Sequence, residues 1–121
     1  MNTPPPPRAL ALKATLAGLT SANGIRGGLI VSADGFVIVS SLPVGYVVEA
    51  VAALGATVGR ELELGAERLE RGPFTTAHLA SRDGAIFVGA STVGFLILIA
   101  DPDADVSAVL TGLREADAAL R

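Results

Sequence analysis

His78 is the only histidine in the chain, and Ser81 and Asp83 follow it closely. These residue types form nucleophilic triads, in which the histidine takes the serine proton and the carboxylate orients the imidazole ring. No serine lies in a G-x-S-x-G elbow, and serine and aspartate are also ordinary turn residues. We therefore interpret His78 as a structural residue of a strand and predict no catalytic residue and no enzymatic activity.

Two other segments resemble ligand sites only in part. The glycine-rich residues 24–28 precede a predicted strand, whereas loops that bind phosphate lead from a strand into a helix. Residues 101–105 have the D-x-D-x-D opening of a calcium loop, but Val106 and Gly112 occupy positions that require glycine and glutamate. With one histidine and no cysteine, we predict no metal site and no cofactor.

Composition narrows the class of protein. The 121 residues suffice for one domain, and the apolar share of 50% is high enough that we expect self-association. The net charge is −3 and no basic run is present, which disfavours nucleic-acid binding because phosphates require lysine and arginine.

Residues 42–59 are mostly apolar, but Pro43 and Glu49 argue against a membrane span. We expect no membrane insertion. The absence of cysteine and of a signal peptide favours the cytoplasm.

One short pattern occurs twice. Residues 29–39 read LIVSADGFVIV, and residues 78–88 read HLASRDGAIFV. Asp-Gly between apolar, β-branched runs is a strong hairpin signal because glycine tolerates the positive φ of a tight turn. We therefore predict two hairpins, with turns at Asp34-Gly35 and at Asp83-Gly84.

The predicted fold is α+β, with the order α-β-β-α-β-β-β-α. A proline-rich tail covers residues 1–8, and one domain covers residues 9–121. Five mostly antiparallel strands would form one sheet, with a long middle helix on one face and two terminal helices on the other. The predicted ranges are helices 9–21, 44–71 and from Asp101, and strands 29–32, 36–41, 74–81, 85–90 and 95–100.

The long middle helix has two adjacent apolar faces. Spacing assigns one face to the sheet: Val47, Val51, Leu54 and Val58. The other carries smaller side chains: Val48, Ala52, Gly55 and Gly59. Small side chains permit close approach either of a partner's backbone or of the chain's own sheet, and the sequence leaves both interpretations open. Arg60 is predicted on the outward face.

The pattern as a whole resembles the roadblock (dynein light chain 7) family. The shared features are a helix leading into GIRGGLIVSADG, a second strand, a long alanine-rich helix, an Arg-Asp-Gly turn followed by AIFV, and the apolar strand FLILIA. The resemblance covers residues 9–121.

The resemblance implies a dimer in which third strands pair edge to edge and the middle helices lie side by side. The implied interface residues are Phe74, Thr76, His78 and Ala80 on the strand, and Val48, Ala52, Gly55 and Gly59 on the helix. It also implies binding and regulation of a small Ras-like GTPase, as an activator or a scaffold. The alternatives are a structural homodimeric adaptor without a GTPase partner, or an enzyme or small-ligand sensor.

Overall fold

The computed structural model describes residues 7–121, so most of the predicted proline-rich tail lies outside the described residues. The elements follow the predicted order. The helices are α1 (Pro7–Thr20), α2 (Val48–Arg68) and α3 (Val106–Ala119). The strands are β1 (Ile25–Val31), β2 (Val37–Ser41), β3 (Thr76–Ser81), β4 (Gly84–Ser91) and β5 (Gly94–Ala100). They form one antiparallel sheet in the order β2-β1-β5-β4-β3.

The sheet lies between two helical layers, as predicted. Its α1 and α3 side is packed around a core that contains Phe87, Leu98 and Leu113. Its α2 side is packed around a second core that contains Leu29 and Phe95. The central strand β5 contributes alternate residues to both cores, which explains why its sequence is apolar throughout.

Strand β1 begins four residues earlier than predicted, because Gly27 and Gly28 belong to it. A Cβ on Gly27 would lie 2.6 Å from the carbonyl oxygen of Ser41, and a Cβ on Gly28 would lie 2.6 Å from the Leu98 side chain. Glycine at these two positions therefore lets neighbouring backbone and side chains pack closely against β1. This packing role accounts for the glycine-rich segment without a bound phosphate.

Helix α3 begins later than predicted, at Val106, and Asp105 rather than Asp101 is its N-cap. The Asp105 carboxylate accepts a hydrogen bond from the Ala108 N–H at 3.1 Å. Asp101 extends the pairing of β5 with β1 instead, since its N–H donates to the Gly24 carbonyl at 2.8 Å. The Asp-Pro-Asp segment thus forms a connection before the helix.

Asp105→Ala is expected to lower the free energy of unfolding by about 1 kcal/mol, the usual loss when an N-cap carboxylate is removed. Urea denaturation followed by circular dichroism measures the change. Asp103→Ala removes an exposed carboxylate from the same loop and should change the stability much less. Equal losses in the two variants would contradict the assignment of Asp105 as the cap.

The two predicted turns differ in geometry. Asp34 and Gly35 lie in the β1–β2 turn, where Gly35 has a φ of +91°. In the second hairpin the turn consists of Arg82 and Asp83, and Gly84 is already the first residue of β4 without a positive φ. The repeated sequence therefore marks two hairpins whose turns are closed differently.

A serine closes the second hairpin in a way that recurs in the third. The Ser81 hydroxyl donates to the Gly84 carbonyl at 3.0 Å, and the Ser91 hydroxyl donates to the Gly94 carbonyl at 3.0 Å. The repeat that we identified in the sequence does not include the Ser91 turn, because that turn lacks Asp-Gly.

Candidate interaction surface

Helix α2 packs on the sheet through its smallest residues. Ala52, Gly55, Ala56 and Gly59 are the buried positions of this helix. A Cβ on Gly55 would overlap the Ile97 side chain, and a Cβ on Gly59 would lie 2.6 Å from the Phe95 ring. The two glycines therefore allow the helix axis to lie close to β5.

This packing corrects the predicted helix side of the dimer interface. Ala52, Gly55 and Gly59 are buried within their own chain, so they have almost no surface left for a partner. Val48 is half-buried and packs against the α2-side core. Of the two open interpretations of the small residues, packing on the chain's own sheet describes the structure.

The apolar face predicted to meet the sheet does so only in part. Val51 and Val58 are half-buried and pack against the α2-side core, whereas Val47 is 65% exposed and Leu54 is 55% exposed. Both faces are apolar and adjacent on the helix, so periodicity alone could not tell which one faces the sheet. Leu54 is therefore a large apolar side chain that this face of α2 leaves exposed.

Val51, Leu54 and Val58 line an apolar groove between α2 and strands β3, β4 and β5, with a volume of about 860 Å³. We call it the α2 groove. Arg26, Tyr46 and Asp101 lie at its polar rim. Its apolar lining includes Val51, Leu54 and Val58 from α2 and Leu79, Ile86 and Val88 from the sheet.

Strand β3 forms the sheet edge next to this groove. The Ala90 N–H donates to the Thr75 carbonyl at 2.8 Å, which sets the alternation of hydrogen bonds along the β3–β4 pair. Thr76, His78 and Ala80 consequently direct their backbone groups away from β4. No other strand within residues 7–121 pairs with that side of β3. Phe74 precedes the strand and packs against the α2-side core.

The candidate triad is not assembled. The His78 ring stacks on Phe87, with the ring centroids 4.7 Å apart. His78 and Ser81 are an odd number of residues apart on one strand, so their side chains leave opposite faces of the sheet. The Ser81 hydroxyl is engaged in its own turn, and Asp83 pairs with Arg82.

Two arginines contact other parts of the chain. Arg26 forms an ion pair with Asp101, with Nε and Oδ1 2.7 Å apart, and this hydrogen bond raises the pKa of Arg26 above its ordinary value. Arg60 donates to the Ala33 carbonyl and so ties the β1–β2 turn to α2. No sequence signal indicated this contact, because the two residues are distant in the chain.

The described part of the chain offers little support for other kinds of site. Across residues 7–121, no three histidine or carboxylate side chains come together as metal ligands would. None of the helices in this range combines the length and apolarity needed to cross a bilayer. The surface features with the clearest chemical character are therefore the α2 groove and the free edge of β3.

The comparisons with known proteins agree on one fold. The family model described as the Roadblock/LC7 domain matches residues 11–101. A Roadblock/LC7 domain from Streptomyces avermitilis superposes with a TM-score of 0.80 at 18% identity, covering 91% of this chain and 94% of that one. The gliding protein MglB from Thermus thermophilus gives a TM-score of 0.79 at 19% identity, covering 95% of this chain and 89% of that one.

A structure of MglB with a tetrameric arrangement also gives a TM-score of 0.79 at 19% identity, covering 95% of this chain and 88% of that one. Among curated proteins, none matches this sequence. At these identities the structural matches establish the fold.

Proposed function

This chain belongs to the Roadblock/LC7 family, and on that basis we propose that it is a dimeric interaction module that binds and regulates a small Ras-like GTPase. The family is one of non-enzymatic interaction domains. The observation that carries the proposal is the family match over residues 11–101, together with a fold shared with MglB.

The proposed dimer uses two adjoining features. The free edge of β3 would pair with the same edge of a second copy about a two-fold axis, which satisfies the outward N–H and C=O groups of Thr76, His78 and Ala80. Leu79 lies on this strand and also lines the α2 groove, so strand pairing brings the partner's α2 towards Leu54 and Val58. The free edge of β3 and the exposed α2 groove support this arrangement. An interface of this kind ordinarily buries a total area of roughly 1,600 Å².

Regulation of a GTPase would act through the partner's own active site. In the described residues, the best catalytic candidates, His78 and Ser81, point to opposite faces of the sheet. Arg60 already donates to the Ala33 carbonyl, so it is not held ready as an arginine finger. We therefore propose that the module acts by binding a conformation of the GTPase, as an activator or a scaffold, in the cytoplasm.

The test uses purified Ras-like GTPases from the same cell, each loaded with GDP or with a non-hydrolysable GTP analogue. We expect one of them to bind immobilised protein with a clear preference for one nucleotide state, and phosphate release then reports any change in the rate of GTP hydrolysis. If none of these GTPases binds in either nucleotide state, the proposed partner class is wrong.

A homodimeric adaptor without a GTPase partner is the second candidate. Its specific support is the extent of exposed apolar surface, and the tetrameric arrangement of one MglB agrees with extensive self-association. Pull-downs dominated by proteins other than GTPases would favour this candidate over the first.

A further inference from the structure

His78 is the middle residue of the free edge of β3. The outward backbone groups of this edge belong to Thr76, His78 and Ala80. A two-fold axis pairs the edge antiparallel with the same edge of a second copy. In the register that pairs all three outward residues with one another, Thr76 faces the partner's Ala80 and His78 lies on the axis. In the proposed dimer, His78 therefore faces the partner's His78.

The His78 ring stands upright on the sheet. His78 and Phe87 are directly opposite each other in the β3–β4 pair, and their rings stack with the centroids 4.7 Å apart and 22° between the planes. Neighbouring strands are also about 4.7 Å apart, so each ring stands above its own strand. Across the axis, the Cβ atoms of the two histidines would lie about 5.5 Å apart. The two imidazoles thus become neighbours in one row of stacked rings.

The strands and the turn beside His78 offer little negative charge to a protonated ring. Strand β3 carries no charged residue besides this histidine, and β4 carries none. The turn between the two strands contains Arg82 and Asp83, which form an ion pair at 3.1 Å. Their charges therefore offset each other.

Helix α3 contacts β3 and β4 on the same face of the sheet. A Cβ on Gly112 would touch Leu19 of α1, so this side of α3 is turned towards α1. Helical spacing places Arg114 and Asp117 on the opposite side, nearer to the β3 edge. Asp117 forms an ion pair with Arg121 at 3.0 Å. The flank of α3 nearest to the histidine is therefore positive, and it does not compensate a second cation at the axis.

We propose that His78 makes the dimer sensitive to pH: the two copies pair while both imidazoles are neutral, and they separate when both are protonated. This inference rests on the proposed dimer. Histidine changes its charge between about pH 5 and pH 8. His78 is exposed in the single chain, so water solvates the protonated ring there. In the dimer, two like charges face each other on neighbouring strands, which is destabilising. The monomer consequently binds protons more readily, and a falling pH shifts the equilibrium towards it.

The register is tested first, with single thiols in a chain that has no cysteine of its own. Under mild oxidation, His78→Cys should give a covalent dimer of 24.4 kDa, twice the chain mass of 12.2 kDa. Facing residues of this kind have Cα atoms about 5.5 Å apart, a distance that suits a disulfide. Thr76→Cys is the matched control and should cross-link only when it is mixed with Ala80→Cys. A dimer in which His78→Cys does not cross-link would overturn the inference.

Sedimentation equilibrium at about pH 8 and about pH 5.5 then measures the response to protonation. The dimer Kd of the wild type should rise about tenfold at the lower pH, as expected for two charges at this separation near a protein surface. His78→Gln cannot become charged, so its Kd should be the same at both pH values. His78→Lys is charged at both and should dimerise weakly at both. Circular dichroism at each pH verifies that the chain remains folded.

The outcomes separate this inference from the proposed function. A wild-type Kd that is equal at the two pH values would overturn the inference and leave the proposed dimer intact. An equal pH dependence in His78→Gln would also overturn it, because another group would then be responsible. A wild-type mass of 12.2 kDa at about pH 8 would contradict the dimer and the inference together. A pH-sensitive dimer that binds no GTPase would support the inference and contradict only the proposed partner.

Discussion

Leu54→Glu is expected to convert the proposed dimer of 24.4 kDa into a folded monomer of 12.2 kDa. Leu54 is 55% exposed in the single chain and lines the α2 groove. Its substitution should therefore change the free energy of unfolding of the monomer very little. In the dimer a carboxylate at this position would be buried in an apolar interface without a partner. We expect the dimer Kd to rise by about 100-fold or more, which corresponds to roughly 2.7 kcal/mol. Sedimentation equilibrium at low protein concentration measures the change.

The matched control is Leu64→Glu, which introduces the same charge at a similarly exposed leucine of α2 that does not line the groove. It should leave the Kd nearly unchanged. A Leu54→Glu protein that remains as tight a dimer as the wild type would exclude the groove from the interface.

The strand half of the interface can be tested separately. Thr76→Pro removes an N–H that points away from β4, so it should weaken edge pairing while the β3–β4 hairpin persists. Arg82→Pro alters the turn without touching that edge and serves as the control. If both variants dimerise as the wild type does, β3 does not form the interface.

Gly94→Ala is expected to be the most destabilising small substitution in the chain, with a loss of about 3 kcal/mol in the free energy of unfolding. Gly94 has a φ of +140°, which L-residues rarely adopt. A Cβ at this position would overlap the carbonyl oxygen of Val31 and lie 2.9 Å from the Cα of Ser32. These are backbone atoms at the end of β1, so the clash cannot be relieved by a change of side-chain rotamer. Urea denaturation followed by circular dichroism provides the measurement.

Gly18→Ala is the corresponding control, because a Cβ at Gly18 in helix α1 meets no atom within 4 Å. It should raise the stability by about 0.5–1 kcal/mol, the usual gain when alanine replaces glycine inside a helix. If Gly94→Ala were as stable as the wild type, the close approach of the β4–β5 turn to β1 would be wrong.

The element order and the layers could be predicted because they depend on local patterns. The strand from Phe95 to Ala100 is apolar at every position, which indicates a strand covered on both faces, and β5 is central in the sheet. The beginnings of elements were less certain. Asp101 and Asp105 are equally suitable helix caps by residue type. The folded chain decides between them, because the Asp105 carboxylate accepts from the Ala108 N–H, whereas the Asp101 N–H pairs with the Gly24 carbonyl just before β1.

At the candidate surface, the difference between what local sequence predicts and what tertiary contacts decide is larger. Local patterns predicted the third strand itself, since strand propensity and turn residues act over a few positions, whereas only the family resemblance implied that a partner could extend it. Sequence alone could not orient α2. Two adjacent faces of that helix are apolar, and the choice depends on the distance between Gly55 and Ile97, residues that become neighbours only in the folded chain.

Local residue patterns in this chain therefore specify which segments are helices and strands and where the hairpins occur. These patterns also carried the resemblance to the family whose model matches residues 11–101. Tertiary packing specifies which side chains remain outside. Steric fit between α2 and β5 selects the small face of the helix for the core and leaves Leu54 exposed. Exposure is a property of all the elements that surround a residue, so no short window of sequence could supply it.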